Sequence, residues 1–233
     1  EPWQGRTTSG AQWLGTFSSI TALAGVVLFA CTVILSARFR FVEALVGGLD
    51  KVYRHHHILG SLAFTLLLVH PALLSWKYAQ LSLERAAHLW GPSTRWPLLA
   101  GQLALALMVP ALVLTLYVTI RHQTLVLLQR ILGVLFLPAA YHSLFTGGDA
   151  YRDAPLRAYL AVICGAAVLA LLKHSLLGRR LDRHHAFVVD SVRSAGPDLA
   201  ELWLSSANGG LHFVPGQFAY VRFPDSAVTA EAH

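Results

Sequence analysis

Charged side chains are scarce in this sequence of 233 residues, and their scarcity excludes an ordinary soluble domain. Asp, Glu, Lys and Arg make up 13% of the chain, whereas a soluble domain has about 25%. Apolar residues reach 55%, and the mean hydropathy is +0.53. The net charge of +6 is modest, and most basic residues stand at the ends of apolar runs. We therefore attribute them to membrane flanks and expect no nucleic-acid partner.

Cysteine is also rare, since Cys31 and Cys164 are the only two and both lie inside apolar runs. They can build neither a disulfide framework nor a cysteine-rich metal site, and we interpret both as buried free thiols. The start of the sequence lacks the pattern of a secretory signal peptide. Neither end resembles a natural terminus, so we expect the chain to be a piece of a longer protein.

Long hydrophobic segments dominate what the sequence does contain. Each is close to the roughly 20 residues needed to cross a bilayer, and lipid cannot bond to free backbone groups, so each should be helical. The segments are 14–36, 57–76, 98–120, 125–146 and 155–176. The sequence therefore predicts an all-α transmembrane bundle with five visible spans in the lipid bilayer.

The flanks of these segments predict their orientation. Lys and Arg are more numerous on the side that follows the first span, and such an excess marks the cytoplasmic side. Tryptophans collect on the opposite side, as an aromatic belt would: Trp3, Trp13, Trp76, Trp90 and Trp96. We therefore expect a multi-pass protein of the cell membrane whose second and fourth spans run outward.

The second span carries two histidines at a spacing typical of a cofactor site. His56 stands four residues before Gly60, and His70 follows His56 by 14 residues across an apolar run. On an α-helix those residues rise about 21 Å and bring the two side chains within roughly 40° in azimuth. One apolar helix therefore presents two imidazoles on one face at two depths, which is the geometry for stacking two haems between a pair of helices.

The fourth span repeats this pattern with one departure. Gln129 stands four residues before Gly133, and His142 occupies the place that matches His70. We predict that His70 and His142 are the axial ligands of an outer haem b, because a haem iron with two imidazoles is suited to electron transfer. The alternative for each histidine is a hydrogen-bonded packing role.

The ligands at the inner depth are left open by the sequence. His56 is favoured by its spacing to His70, and its neighbour His57 is the alternative. Gln129 stands at the matching place in the fourth span, but an amide oxygen is a poor ligand for haem iron. The glycines of both repeats would either let a flat macrocycle approach the backbone or let helices pack closely.

After residue 183 the pattern changes from long spans to short strands. These strand-like stretches are 186–190, 200–204 and 211–223, with turn residues between the second and the third. Short strands divided by turns predict the first strands of a β-barrel. We therefore divide the chain into a membrane domain at 1–180 and the truncated start of a β domain at 185–233.

The histidine-bearing spans and the motif Pro215-Gly216-Gln217-Phe218 together resemble the ferric reductase / NADPH oxidase superfamily. The resemblance covers nearly the whole chain, and it implies that residues 14–176 form a haem-bearing transmembrane domain. In that superfamily two spans carry four histidines that hold two b-type haems, and six spans are usual. Here Gln129 stands where the family has a histidine, and an N-terminal span is expected outside this chain.

The resemblance also implies flavin chemistry on the cytoplasmic side. The motif lines a ferredoxin-reductase-type barrel in that superfamily, so Pro215, Gly216, Gln217 and Phe218 are expected to lie near FAD. In the intact protein NADPH or NADH would reduce the FAD, and electrons would then pass through one or two haems to an acceptor outside. That acceptor is ferric iron, dioxygen, a quinone or a partner protein, and the outer loop is its expected place.

Three other functions stay open at this point. In a single-haem metalloreductase the flavin would reach deep enough to replace the inner haem. A non-enzymatic haem-bearing electron-transfer subunit would work only with partner membrane subunits. A transporter would use its histidines as a proton relay. Haem absorbance separates the transporter from the others, and the number of haems per chain separates the two reductases.

Overall fold

A computed structural model describes residues 10–173, 186–196, 199–207 and 209. The chain divides into two compact units, Glu1–Arg179 and Arg180–His233. The first unit is helical, and the second contains a small antiparallel sheet.

Eight helices form the described part of the first unit. They are α1 (Gly10–Ser36), α2 (Arg40–Val46), α3 (Leu49–Ala79), α4 (Leu83–His88), α5 (Trp96–Tyr117), α6 (His122–Phe145), α7 (Asp149–Arg152) and α8 (Ala154–Leu172). Five of them are long and apolar enough to cross a membrane, namely α1, α3, α5, α6 and α8. The predicted transmembrane bundle with five visible spans is therefore confirmed.

The helix ends follow local sequence signals. Helix α2 is capped at its C-terminus by Gly47, whose φ of 88° suits glycine, and Gly48 (φ 128°) precedes α3. Helix α3 consequently begins eight residues before the predicted span, which brings His56 inside it. Helix α8 is capped by Asp153, whose carboxylate accepts a hydrogen bond of 2.9 Å from the Leu156 amide.

Packing in the first unit is organised by α1. This helix packs along much of α3 and also contacts α6 and α8, whereas α5 packs against α6. Small residues permit the close approach, since a Cβ added to Gly25 would lie 2.9 Å from the Leu67 side chain. Between α1 and α6, the rings of Phe29 and Phe136 meet edge to face at 5.2 Å. Phe29 and Phe136 belong to the buried apolar core of the bundle. Outside this core many large apolar side chains are exposed, as the lipid-facing surface of a membrane bundle requires.

Three spans contain an internal proline, at Pro71 in α3, Pro110 in α5 and Pro138 in α6. Proline lacks a backbone N–H, so the carbonyl four residues earlier loses its usual donor. Membrane helices tolerate this loss where neighbouring helices or side chains satisfy the freed group.

The second unit contains β1 (Phe187–Gly196) and β2 (Leu199–Ser206) within its described part. The strands pair antiparallel with Phe187 opposite Ser206, and the register shifts between Val189 and Ser191 and again between Ser194 and Gly196. Strands were expected at 186–190 and 200–204, and the paired segments are longer. The third predicted strand, at 211–223, lies outside the described residues.

Candidate functional site

His70 is held against α1 by Ser18. The His70 Nδ1 atom lies 2.9 Å from both the carbonyl oxygen and the hydroxyl oxygen of Ser18. The Ser18 hydroxyl in turn donates to the His70 carbonyl at 3.1 Å. Ser18 is completely buried, whereas His70 is half-buried. The Nδ1 edge of the His70 ring therefore faces α1, and the opposite edge, which carries Nε2, faces away from it.

His142 is held against α5 in a similar way. Its Nδ1 atom lies 2.9 Å from the Pro97 carbonyl oxygen and 3.0 Å from the Thr146 hydroxyl. The Thr146 hydroxyl also donates to the His142 carbonyl. The Nδ1 edge of the ring faces Gly101, because Cγ, Nδ1 and Cε1 are the ring atoms that a Cβ there would meet. The Nε2 edge of His142 therefore faces away from α5.

The two histidines lie at the same end of the bundle. His70 bonds near the start of α1 and His142 bonds near the start of α5, and both occupy the C-terminal part of their own helices. Helices α3 and α6 pack mainly against α1 and α5 rather than against one another. The Nδ1 atoms of both rings are therefore bonded to the helices against which α3 and α6 pack.

The three consecutive histidines of α3 have different surroundings. His56 is half-buried, and its Nδ1 lies 3.1 Å from the Thr32 carbonyl oxygen of α1. His55 is exposed, and its Nδ1 lies 2.6 Å from the Lys51 carbonyl oxygen of its own helix. His57 is also exposed. Of the three, His56 is the one that faces into the bundle.

Gln129 is exposed on α6. Gly60 and Gly133, the glycines of the two similar segments, face neighbouring helices. A Cβ on Gly60 would lie 3.5 Å from the Thr32 methyl carbon, and one on Gly133 would lie 2.9 Å from the Leu171 side chain. Both distances favour the helix-packing interpretation of these glycines over approach of a macrocycle. Among the described residues, His70 and His142 thus lie at the same end of the bundle, and Gln129 stands in α6 at the place that matches His56.

His56, His70 and His142 carry the ring proton on the same nitrogen. Each Nδ1 meets a backbone carbonyl, which can only accept a hydrogen bond, so Nδ1 carries the proton. The remaining nitrogen, Nε2, then has a free lone pair, and this is the form of histidine that binds a metal. The donor set fits a haem iron with two axial imidazoles at the His70 level and with one at the His56 level.

A metal centre built from protein ligands alone is not indicated in the part of the chain that the structure describes. No group of three or more His, Cys, Asp or Glu is close enough there to hold an ion. A haem iron needs only two axial ligands, because the porphyrin supplies the other four. The placement of His70 and His142 at the same end of the bundle is therefore compatible with haem.

The partners of the histidines are the residues that sequence reasoning missed. Ser18 and Thr32 are 14 residues apart on α1, the same spacing as His56 and His70 on α3. In an antiparallel pair of helices this match brings each carbonyl to one imidazole. The equal spacing can be read from the sequence, but the register between α1 and α3, which places Thr32 beside His56 and Ser18 beside His70, cannot.

The loop between α4 and α5 is fixed at the end of the bundle that carries His70 and His142. The Gln102 amide nitrogen donates to the carbonyls of Leu89 (2.9 Å) and Gly91 (2.7 Å), and its oxygen accepts from the Ser93 amide at 3.1 Å. The Trp90 indole donates to the Ser75 hydroxyl of α3 at 3.0 Å. The loop is therefore anchored to both α5 and α3.

The predicted flavin motif, Pro215 to Phe218, lies outside the described residues. In a comparison with known families, the model described as ferric reductase like transmembrane component fits residues 21–140, which is more than half of the chain. The matched region includes His56, His70 and Gln129 and ends two residues before His142. No curated protein matches the chain.

Proposed function

The chain belongs to the family of ferric reductase like transmembrane components, and from this premise we propose that it carries electrons across the membrane. The electrons would come from reduced FAD on the cytoplasmic side, which NADPH or NADH reduces in the intact protein. They would reach an acceptor, ferric iron or dioxygen, on the outer side. The protein would thus be a membrane-bound oxidoreductase that contains haem b.

The observation that carries this proposal is the common hydrogen-bonding state of three membrane histidines. Nδ1 of His56, His70 and His142 is bonded to a carbonyl of a neighbouring helix, which leaves Nε2 as the metal-binding atom. A haem with two axial imidazoles supplies one-electron chemistry at low reorganisation cost. His70 and His142 would hold the outer group, and His56 would hold an inner one.

The remaining residues keep water away and keep the ligands in place. The core between α1 and α6 is apolar, with Phe136 completely buried. The Gln102 bonds fix the outer loop above the His70 and His142 level. A fixed loop would restrict the acceptor to the end of the bundle, where Trp90, Arg95 and Trp96 form the outer surface.

The decisive experiment counts haem against protein. The chain is purified in detergent from haem-replete cells, and haem b is measured as the pyridine haemochromogen while protein is measured by amino-acid analysis. Two haems per chain support a two-haem path, and one supports the single-haem alternative. A preparation without haem from replete cells contradicts the proposal and favours a transporter with histidine relays.

The single-haem arrangement is the second candidate, and the exposure of Gln129 favours it. In that arrangement a flavin ring would occupy the His56 level. A non-enzymatic subunit with partner membrane subunits is a further alternative to an enzyme. A nicotinamide-binding domain on the same polypeptide would support the enzyme, and its absence from the full-length sequence would support the subunit.

A further inference from the structure

Each outer histidine has a hydroxyl partner in addition to its carbonyl partner. Nδ1 of His70 meets the Ser18 carbonyl and the Ser18 hydroxyl, both at 2.9 Å. Nδ1 of His142 meets the Pro97 carbonyl at 2.9 Å and the Thr146 hydroxyl at 3.0 Å. The same arrangement thus occurs twice, although one hydroxyl comes from α1 and the other from the residue that follows α6.

The direction of these hydroxyl bonds is fixed by a second contact. Ser18 donates its proton to the carbonyl of His70, and Thr146 donates its proton to the carbonyl of His142. Because each hydroxyl has only one proton, its oxygen meets Nδ1–H with a lone pair. Each Nδ1–H is therefore shared between two acceptors, a carbonyl and a hydroxyl oxygen.

The inner histidine lacks this second acceptor. His56 meets the carbonyl of Thr32 at 3.1 Å, but the Thr32 hydroxyl donates to the Leu28 carbonyl at 2.8 Å within its own helix. The two histidines of α3 are thus bonded differently, although the same helix supports both. The difference concerns only the hydroxyl at each level.

We propose that Ser18 and Thr146 are positioning residues that make His70 and His142 stronger donors to iron than His56. This inference rests on the proposed function, because it concerns the same candidate ligands. A second acceptor draws the Nδ1 proton away from the ring and gives Nε2 more imidazolate character. A stronger donor stabilises ferric over ferrous iron, so each hydroxyl should lower the reduction potential of the outer haem.

The test removes one hydroxyl at a time in the whole haem-loaded protein. Ser18→Ala and Thr146→Val delete the second acceptor but leave both carbonyls in place. Thr32→Val is the matched control, because it deletes a hydroxyl of the α1–α3 seam that does not reach His56. Reductive titrations followed at the haem absorption bands, together with haem content, give the readout.

We expect Ser18→Ala and Thr146→Val each to raise the midpoint potential of one haem while haem content is retained. Thr32→Val should leave every potential at the wild-type value. If one variant loses haem, the potential measured in the other variant tests the inference, because the two hydroxyls lie in separate parts of the chain, in α1 and directly after α6.

Wild-type potentials in both variants would overturn the inference, and so would loss of haem from both with haem retained in Thr32→Val. Wild-type potentials would mean that the Ser18 and Thr146 hydroxyls connect parts of the bundle without affecting the iron. Loss of haem from both variants would mean that the two residues serve only the packing of the site. Either result leaves the proposed function intact, whereas wild-type protein without haem would contradict the proposed function itself.

Discussion

The imidazole of His142 lies directly against the backbone of Gly101, so closely that a Cβ on Gly101 would come within 2.6 Å of the His142 Cγ atom. Real Cβ atoms do not make contacts of this length, so glycine is required while the ring keeps its place. The contact also explains why the Nδ1 edge reaches the Pro97 carbonyl, one turn earlier on α5. Helix α5 thus shapes the site although it contributes no candidate ligand.

The first prediction follows from this contact. Gly101→Ala should force the His142 ring away from α5 and break its bond to Pro97, at a cost of about 1–3 kcal/mol for the overpacked contact. The low-spin signal of the outer haem should weaken or disappear. Gly165→Ala in α8 is the control, because among the described residues no atom of a neighbouring helix lies within 4 Å of the Cβ position there. Equal spectra for the two variants would contradict the placement of His142.

The second prediction concerns the outer ligands themselves. His70→Ala and His142→Ala should each remove one low-spin haem signal, since either change leaves the iron with a single imidazole. His55→Ala is the control, because His55 is exposed and bonds within its own helix. Electron paramagnetic resonance and haem content measure the effect. If both variants keep the full content and spectrum, these histidines have a packing role only.

The third prediction concerns the outer loop. Gln102→Leu removes all three hydrogen bonds from the Gln102 amide to residues 89–93, for a net loss of about 1–3 kcal/mol. Local opening should become more frequent, so the backbone amides of 89–93 should exchange faster with deuterium. Gln123→Leu, at an exposed position of α6, is the control. Unchanged exchange in Gln102→Leu would mean that the loop is fixed by other contacts.

The fourth prediction tests the flavin expectation, which concerns residues outside the described structure. In the full-length protein, the combined change of Gln217→Ala and Phe218→Ala should weaken FAD binding by tenfold or more (about 1.4 kcal/mol). The reason is the resemblance of the motif to a strand that lies beside the flavin ring. Bound FAD, measured by fluorescence after release, gives the result, and Asp225→Ala is a nearby control. Unchanged affinity would argue against a flavin role for this strand.

The spans could be predicted from the sequence because lipid allows few structures. A long apolar segment must satisfy its own backbone, so hydropathy alone predicts the five helices. The contacts of Ser18 and Gly101 could not be predicted, because they depend on the register between two helices. Side chains that differ little in hydropathy leave that register undetermined.

The position of Gln129 illustrates a second limit. On a regular helix the 13 residues from Gln129 to His142 turn the side chains about 140° apart, whereas the 14 residues from His56 to His70 keep them within roughly 40°. Pro138 lies between Gln129 and His142 and disturbs the regular helix there. Similar sequence patterns therefore do not give the same geometry in α3 and α6, and Gln129 is exposed.

The last prediction uses this position to decide what occupies the His56 level. The two histidine levels of α3 are about 21 Å apart along the helix, so under the proposed function electrons that enter from the cytoplasmic side would need a second cofactor near His56. We expect a haem that His56 holds on one side, with Gln129 non-ligating. The alternative is a flavin ring at the same depth.

If an inner haem is present and Gln129 faces it, Gln129→His should supply the missing imidazole and convert that haem to a low-spin form with two histidines. Gln123→His places a histidine on an exposed position of the same helix and serves as the control. Haem stoichiometry and electron paramagnetic resonance are measured on both.

Two haems per chain with a new low-spin signal only in Gln129→His would support the inner haem. One haem per chain in the wild type and in both variants would support the flavin, because a histidine cannot ligate a group that is not there. Two haems with no spectral change would mean that α6 turns position 129 away from the haem, as its 13-residue spacing to His142 implies for a regular helix.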